Sequence, residues 1–291
     1  MRIGFHTNSL SWQGLKDIDD MASWAIANGL KDMEVGPAIA LDEEKFFKIK
    51  EEGNIDITTL IYCRNFLDTD ELTAKDHQKN LIERIEAAGR LGIEKVVCST
   101  GVTSDAFYGM RYNPENSLEA VVELFKSFLE VAEKNNVKLA IENCPMMGNI
   151  AISPYMWELL FERIDSDKLG LAYDPSHMIW QMMDPYDPIK EFGQKIFHVH
   201  GKDTEILRSN MNRIGILHNI TEETKFYEHQ WWRHRLPGLG EVDWRRVAAN
   251  LEEIGYEGTI SIEHEDPVWE GSLDKVQTGI LKAKKHIEQY I

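Results

Sequence analysis

Apolar positions along the chain follow two alternating periods. Short runs dense in Val, Ile, Leu and Phe are separated by longer stretches in which apolar residues recur every three to four positions. The first kind predicts β-strands and the second predicts amphipathic helices. The expected strands are "RIGFHT", "DMEVG", "DITTLIYC", "EKVVCST", "VKLAIEN", "LGLAYD", "KIFHVHGKD" and "GTISIEHED". The expected helices lie at 16–28, 43–52, 75–90, 117–135, 155–163, 186–193, 243–254 and 273–289.

Strands that alternate with helices pair in parallel, because a parallel connection needs a crossover, and parallel strands are buried on both faces. Eight such pairs in 291 residues predict an α/β fold, a single (β/α)8 TIM barrel over 1–291. An open doubly wound sheet is the alternative, and the lack of a GxGxxG after the first strand counts against it. One region breaks the rhythm. Residues 204–242, between strand seven and its helix, far exceed the roughly 2–6 residues usual for such a connection and contain "QWWRHRLPGLGEVDW". A lid, a self-packed surface loop and an interface element that would make the protein a homo-oligomer are the three readings of this inserted loop.

Charge narrows the partners. Asp and Glu total 49 against 32 Lys and Arg, and the net charge of −17 repels nucleic acid and anionic lipid. No run of 18 apolar residues occurs and "MRIGFHTNSL" carries no apolar signal core, so a cytoplasmic location is expected. Cys63, Cys98 and Cys144 are odd in number and form no CxxC, which predicts reduced thiols rather than disulfides or a thiolate-bound zinc.

The candidate chemistry lies at the strand ends. Strand five ends at Glu142, strand six at Asp174, strand seven at His200 and strand eight at Glu263. Alternation puts Ala140 with Glu142, Ala172 with Asp174 and His198 with His200 on one face each, with Ile262 opposite Glu263. Asp174 taken alone reads equally as a turn former or N-cap ahead of Pro175. Four such residues converging on one mouth require a shared compensating charge, and a divalent cation supplies it. Three carboxylates and one imidazole favour Mn²⁺, with Mg²⁺ and Co²⁺ close behind and Zn²⁺ compatible.

This constellation, with "DPSH" after strand six, "HVHGKD" on strand seven and "PGLGEVDW" before the last helix–strand pair, resembles the sugar phosphate isomerase/epimerase superfamily of xylose isomerase-like TIM barrels. The resemblance spans "RIGFHT" to "SIEHEDP". It implies that Glu142, Asp174, His200 and Glu263 bind one metal ion, that Glu142 and Glu263 also transfer protons, and that His177 contacts substrate.

The chemistry is coherent in its own right. Removing a proton α to a carbonyl requires stabilisation of the resulting enediolate oxygen and a base beside the carbon. Glu142 and Glu263 can stand on opposite sides of the substrate. Lys202 and Arg208 are candidates for a substrate oxygen, or form a solvated surface pair. His6, Asn8, Glu34 and Tyr62 are candidate wall residues, and Trp232 with Trp231 is a candidate aglycone-binding lid. His198 reads as barrel filling or as support for a ligand, and the cysteines as small apolar packing. Three function classes follow. The first is a metal-dependent isomerase or epimerase of an unphosphorylated keto sugar or cyclitol, and the second a dehydratase or lyase that begins with the same proton removal. The third, a metal-dependent endonuclease, conflicts with the net charge and with Glu34, Cys63 and Cys98 standing where that branch carries histidines. A sugar-binding subunit without activity would not need a complete ligand set.

Overall fold

A computed structural model of the protein describes residues 1–108, 111–146, 148–217 and 231–291. Eight parallel strands close a barrel in the order one, eight, seven, six, five, four, three, two. They are Arg2–His6, Asp32–Val35, Asp56–Tyr62, Lys95–Cys98, Lys138–Glu142, Leu169–Tyr173, Ile196–Gly201 and Thr259–Ile262. The predicted helices surround them, with bounds within a few residues of the expected ones. The third starts earlier, at Glu71–Leu91, because Asp70 caps it by accepting from Thr73 N, and Gly92 stops it in the left-handed region at φ 63°. A short helix not anticipated, Pro175–Trp180, follows strand six directly.

Two apolar layers show which way each strand faces. Leu139, Ile141, Leu171, Tyr173, Val199 and Ile262 belong to the large core between barrel and helices. Ile61, Cys63, Val97, Ala140 and Ala172 pack with Phe197 inside the barrel. By the two-residue period, Glu142, Asp174, His200 and Glu263 therefore all face inward, as their strand patterns predict. Tyr62 and Cys98 join the outer core instead, and the Tyr62 hydroxyl bonds His77 Nδ1 at 3.0 Å. The candidate wall residue Tyr62 thus faces the helices, while its neighbours Ile61 and Cys63 face the barrel interior. All three cysteines are free and buried.

The region 204–242 is partly regular. Asp203–Ile206 pairs antiparallel with Trp232–Arg235, so that Thr204 stands opposite His234 and Ile206 opposite Trp232. The helix Arg208–Ile214 follows the first of these strands. Asp203 accepts from the backbone N–H of Thr204, Gly238 and Val242 at 2.8, 3.0 and 2.9 Å, which fastens "PGLGEV" to the end of strand seven. The tip of the inserted region, 218–230, on which the lid and interface readings partly rest, lies outside the described residues. Among those described, no helix is long and apolar enough to cross a membrane.

Candidate metal centre

The four strand-end residues meet. One ligand atom each from Glu142, Asp174, His200 and Glu263 lies within 4.8 Å of the others. His200 Nδ1 is 3.2 Å from Glu142 Oε1 and 3.4 Å from Glu263 Oε2. Asp174 divides its carboxylate between two tasks. Oδ1 accepts from Ser176 N at 2.8 Å and caps the helix Pro175–Trp180, while Oδ2 is turned into the buried set. The N-cap reading of this residue thus holds on Oδ1, and Oδ2 is left on the side of the other three carboxylate and imidazole groups. Three carboxylates and one imidazole brought together in a buried mouth fit a hard divalent ion.

Neighbouring amides hold these strand ends in place. Asn143 clamps the Asp174 backbone from both sides, donating to its carbonyl at 2.9 Å and accepting from its N–H at 2.7 Å. Asn149 Nδ2 donates to the carbonyls of Glu142 and Cys144 at 2.7 and 2.9 Å.

Lys202 lies inside the site, not on the surface. Its side chain is 2% exposed, with Nζ 2.6 Å from Glu263 Oε2, 3.1 Å from Asp174 Oδ2 and 3.2 Å from Glu265 Oε2. Burial works against its charge, but Glu263, Glu265 and Asp174 hold the ammonium well above the ordinary lysine value. Burial also opposes ionisation of Glu142, yet His200, His177 and Lys202 keep its carboxyl well below the usual range. Glu263 behaves oppositely: burial pushes it up to about 8, against the pull of Lys202. Glu265, despite burial, is drawn down to about 2 by Lys202 and His234. For His200 burial favours the neutral ring, but Glu34, Glu142 and Glu263 raise it well above the ordinary imidazole value.

A cavity of about 270 Å³ opens over this set, lined among others by His6, Asn8, Arg64, Lys202, His234 and Glu265, with Trp12, Pro37, Ile61 and Met146 as its apolar wall. That volume is near the lower end of small-molecule sites, about 300 Å³. Burial lowers His6 to about 4, so its ring faces the cavity neutral. Cys63 and Cys144 also line the cavity, and burial holds both thiols well above their ordinary value, which keeps them protonated.

Among the other sequence candidates, His177 is fully buried, with Nε2 3.4 Å from Asp174 Oδ2 and 3.6 Å from Glu142 Oε1. Trp180 Nε1 donates to His177 Nδ1 at 3.1 Å, and the Trp180 ring stacks on Trp232 with centroids 4.5 Å apart. Trp232 itself is 5% exposed and is not part of the cavity lining. Arg208 is also off the cavity, 64% exposed and paired with Glu241 at 3.1 Å. The sequence reading passed over His234, which the inserted hairpin delivers to the cavity wall 3.5 Å from Glu265 Oε2. Its only sequence signal is a histidine in an alternating "WRHR" run.

Similar proteins match along most of the chain. The uncharacterised protein YfiH of Bacillus subtilis is 28% identical over 99% of this chain and all of its own length. Inosose dehydratase of Clostridium perfringens strain 13 is 21% identical over 90% of this chain and 86% of its own. Among solved structures, the IOLI protein with a bound zinc atom superposes with a TM-score of 0.73 at 18% identity, covering 100% of this chain and 99% of its own. A D-tagatose 3-epimerase-like protein reaches 0.72 at 20% identity over 100% and 97%. Residues 22–288 match the family described as xylose isomerase-like TIM barrel, the same group that the strand-end motifs resemble. Barrel closure and this match agree: the chain belongs to the xylose isomerase-like TIM barrel family.

Proposed function

We propose that the protein is a divalent-metal-dependent isomerase or epimerase that removes and returns a proton α to the carbonyl of a keto sugar or cyclitol. The observation that carries this reading is the placement of Glu142 and Glu263, on strands five and eight, in one inward-facing four-residue set. Glu142, Asp174, His200 and Glu263 would hold the ion, with Mn²⁺ the first choice for an oxygen-rich set. The zinc-bound structural neighbour supports a divalent ion in such a barrel. When bound, the ion supplies Lewis acidity toward the carbonyl and adjacent hydroxyl oxygens of a substrate.

The chain's own groups do the rest. Without an ion, His200 and its neighbours hold the Glu142 carboxyl low while burial pushes Glu263 up, so the two carboxyls stand in unequal environments on two sides of the set, as proton removal by one and return by the other require. His177 and Lys202, both buried beside the carboxylates, orient substrate oxygens, and neutral His6 reads a hydroxyl from across the mouth. Trp232 acts through Trp180 to steady His177 instead of covering the substrate. Among the described lining residues the lysine and arginine are Lys202, already engaged by three acids, and Arg64, a wall that favours an unphosphorylated substrate.

A second reading, elimination of water, is favoured by the inosose dehydratase relative, which spans nine-tenths of the chain. Both begin with the same proton transfer. Incubating Mn²⁺-loaded protein in D₂O with a panel of keto sugars and inososes separates them: deuterium uptake with an isomerised product supports the first reading, and a dehydrated product the second. Neither exchange nor product across the panel would overturn both.

A further inference from the structure

Glu34, a candidate wall residue at the end of strand two, does not line the cavity; it is 1% exposed and faces the barrel interior between Met33 and Val35, which both pack outward. A buried carboxylate without a cation is costly, and among the described residues its ion-pair partners are two histidines. Oε1 lies 3.3 Å from His200 Nε2 in hydrogen-bond geometry, and Oε2 lies 3.3 Å from His198 Nε2. The two ring nitrogens of His200 thus meet different carboxylates: Nδ1 faces Glu142 and Glu263, and Nε2 faces Glu34.

Once an ion occupies the four-residue set, only one tautomer of the His200 ring serves both sides. Nε2–H donates to Glu34, and the Nδ1 lone pair is left for a metal ion. We infer that Glu34 is a positioning residue that fixes the tautomer and rotation of His200, presenting Nδ1 to the four-residue set and strengthening it as a donor. Closure of the barrel makes this arrangement available. Strand one pairs with both strand two and strand eight, which carries Glu34 across the interior towards strand seven. The register slip between Met33 and Glu34 lies beside the carboxylate, where such irregularities commonly redirect a side chain. His198, two residues below His200 on the same strand face, lies against the second oxygen with Nε2 3.3 Å away.

This inference rests on the metal reading above, and its test separates the two. Mn²⁺ affinity and stoichiometry are measured by calorimetry for the wild type, Glu34→Gln and Glu34→Ala, with thermal melts to confirm folding. One ion per wild-type chain is expected. The dissociation constant should rise about 10–100-fold in Glu34→Ala, the usual effect of losing a partner behind a ligand, and less in Glu34→Gln, whose amide oxygen still accepts. In Zn²⁺-loaded wild type, ¹⁵N-histidine NMR should show a proton on His200 Nε2, a readout independent of any variant's folding. A proton on Nδ1 instead, or a folded Glu34→Ala that binds as tightly as wild type, overturns the inference alone. Two ions per chain also overturns it, because Glu34, His198 and His200 would then be ligands of a second ion. A wild type that binds no Mn²⁺ or Zn²⁺ removes the metal reading and this inference with it.

Discussion

Lys202 Nζ stands 2.6 Å from Glu263 Oε2 and reaches Asp174 Oδ2 as well, so a buried side-chain cation bridges two of the four candidate ligands. Three acids within 3.2 Å of one ammonium make Lys202 the internal counter-charge of the site. Lys202→Met should therefore cost the metal-free protein about 3 kcal/mol, the usual penalty for stripping one partner from a buried pair. Adding Mn²⁺ should recover part of that loss. Thermal denaturation with EDTA and with excess Mn²⁺ measures both, and equal melting of variant and wild type in EDTA would refute the role.

Asp174 can be dissected because its oxygens have separate work. Asp174→Ser keeps an N-cap for the helix Pro175–Trp180 but loses the carboxylate, whereas Asp174→Ala loses both. The expected outcome is steeply lower metal content in both variants by elemental analysis. Asp174→Ala should be less stable than Asp174→Ser by about 1 kcal/mol. Undiminished metal in the serine variant would exclude Asp174 as a ligand.

Metal uptake should depend on pH, with a sign set by His200. Its neighbouring carboxylates hold the imidazolium well above the ordinary value, so at neutral pH a proton occupies the nitrogen an ion would take. Binding must displace that proton, and below about pH 8 the one on Glu263 as well, so affinity should fall about tenfold per pH unit of acidification for each proton exchanged. Calorimetry in buffers of differing ionisation enthalpy counts the released protons directly. An affinity flat between pH 6 and 8 would contradict the assignment.

The two glutamates are tested with metal held constant. Glu142→Gln and Glu263→Gln, each confirmed metal-loaded, should lose about 10²–10⁴-fold in turnover. In a two-carboxylate mechanism one variant should still exchange deuterium into substrate without completing conversion. Near-wild-type turnover in both loaded variants would move the base to another residue, with His177 and Lys202 the first to examine.

The strand ends were readable because burial on one face and alternation on the strand leave little freedom: Ala140 and Ala172 point inward, and Glu142 and Asp174 must follow. Where alternation is absent, the reading fails. In "DITTLIYC" every residue from Ile57 onward is buried, so nothing local says that Ile61 and Cys63 face inward and Tyr62 outward. Lys202 could not be told from a surface lysine, since its three acids come from strands six and eight. His234 reached the cavity through a pairing with Thr204 across 30 positions, which no local pattern announces. Glu34 was visible as a wall residue, but its contact with His200 exists only once the barrel closes.

The inserted hairpin has a consequence for how such a protein can diversify. The four candidate ligands come from barrel strands, whereas the hairpin adds His234 and, through the Trp180–Trp232 stack, braces His177 from outside the barrel. Ion-holding and cavity shape are thereby encoded in separate pieces of chain. Substitutions in the hairpin strand Trp232–Arg235 can therefore reshape the cavity wall while the four strand-end residues stay in place, so fit to a substrate can drift apart from the residues that would hold an ion.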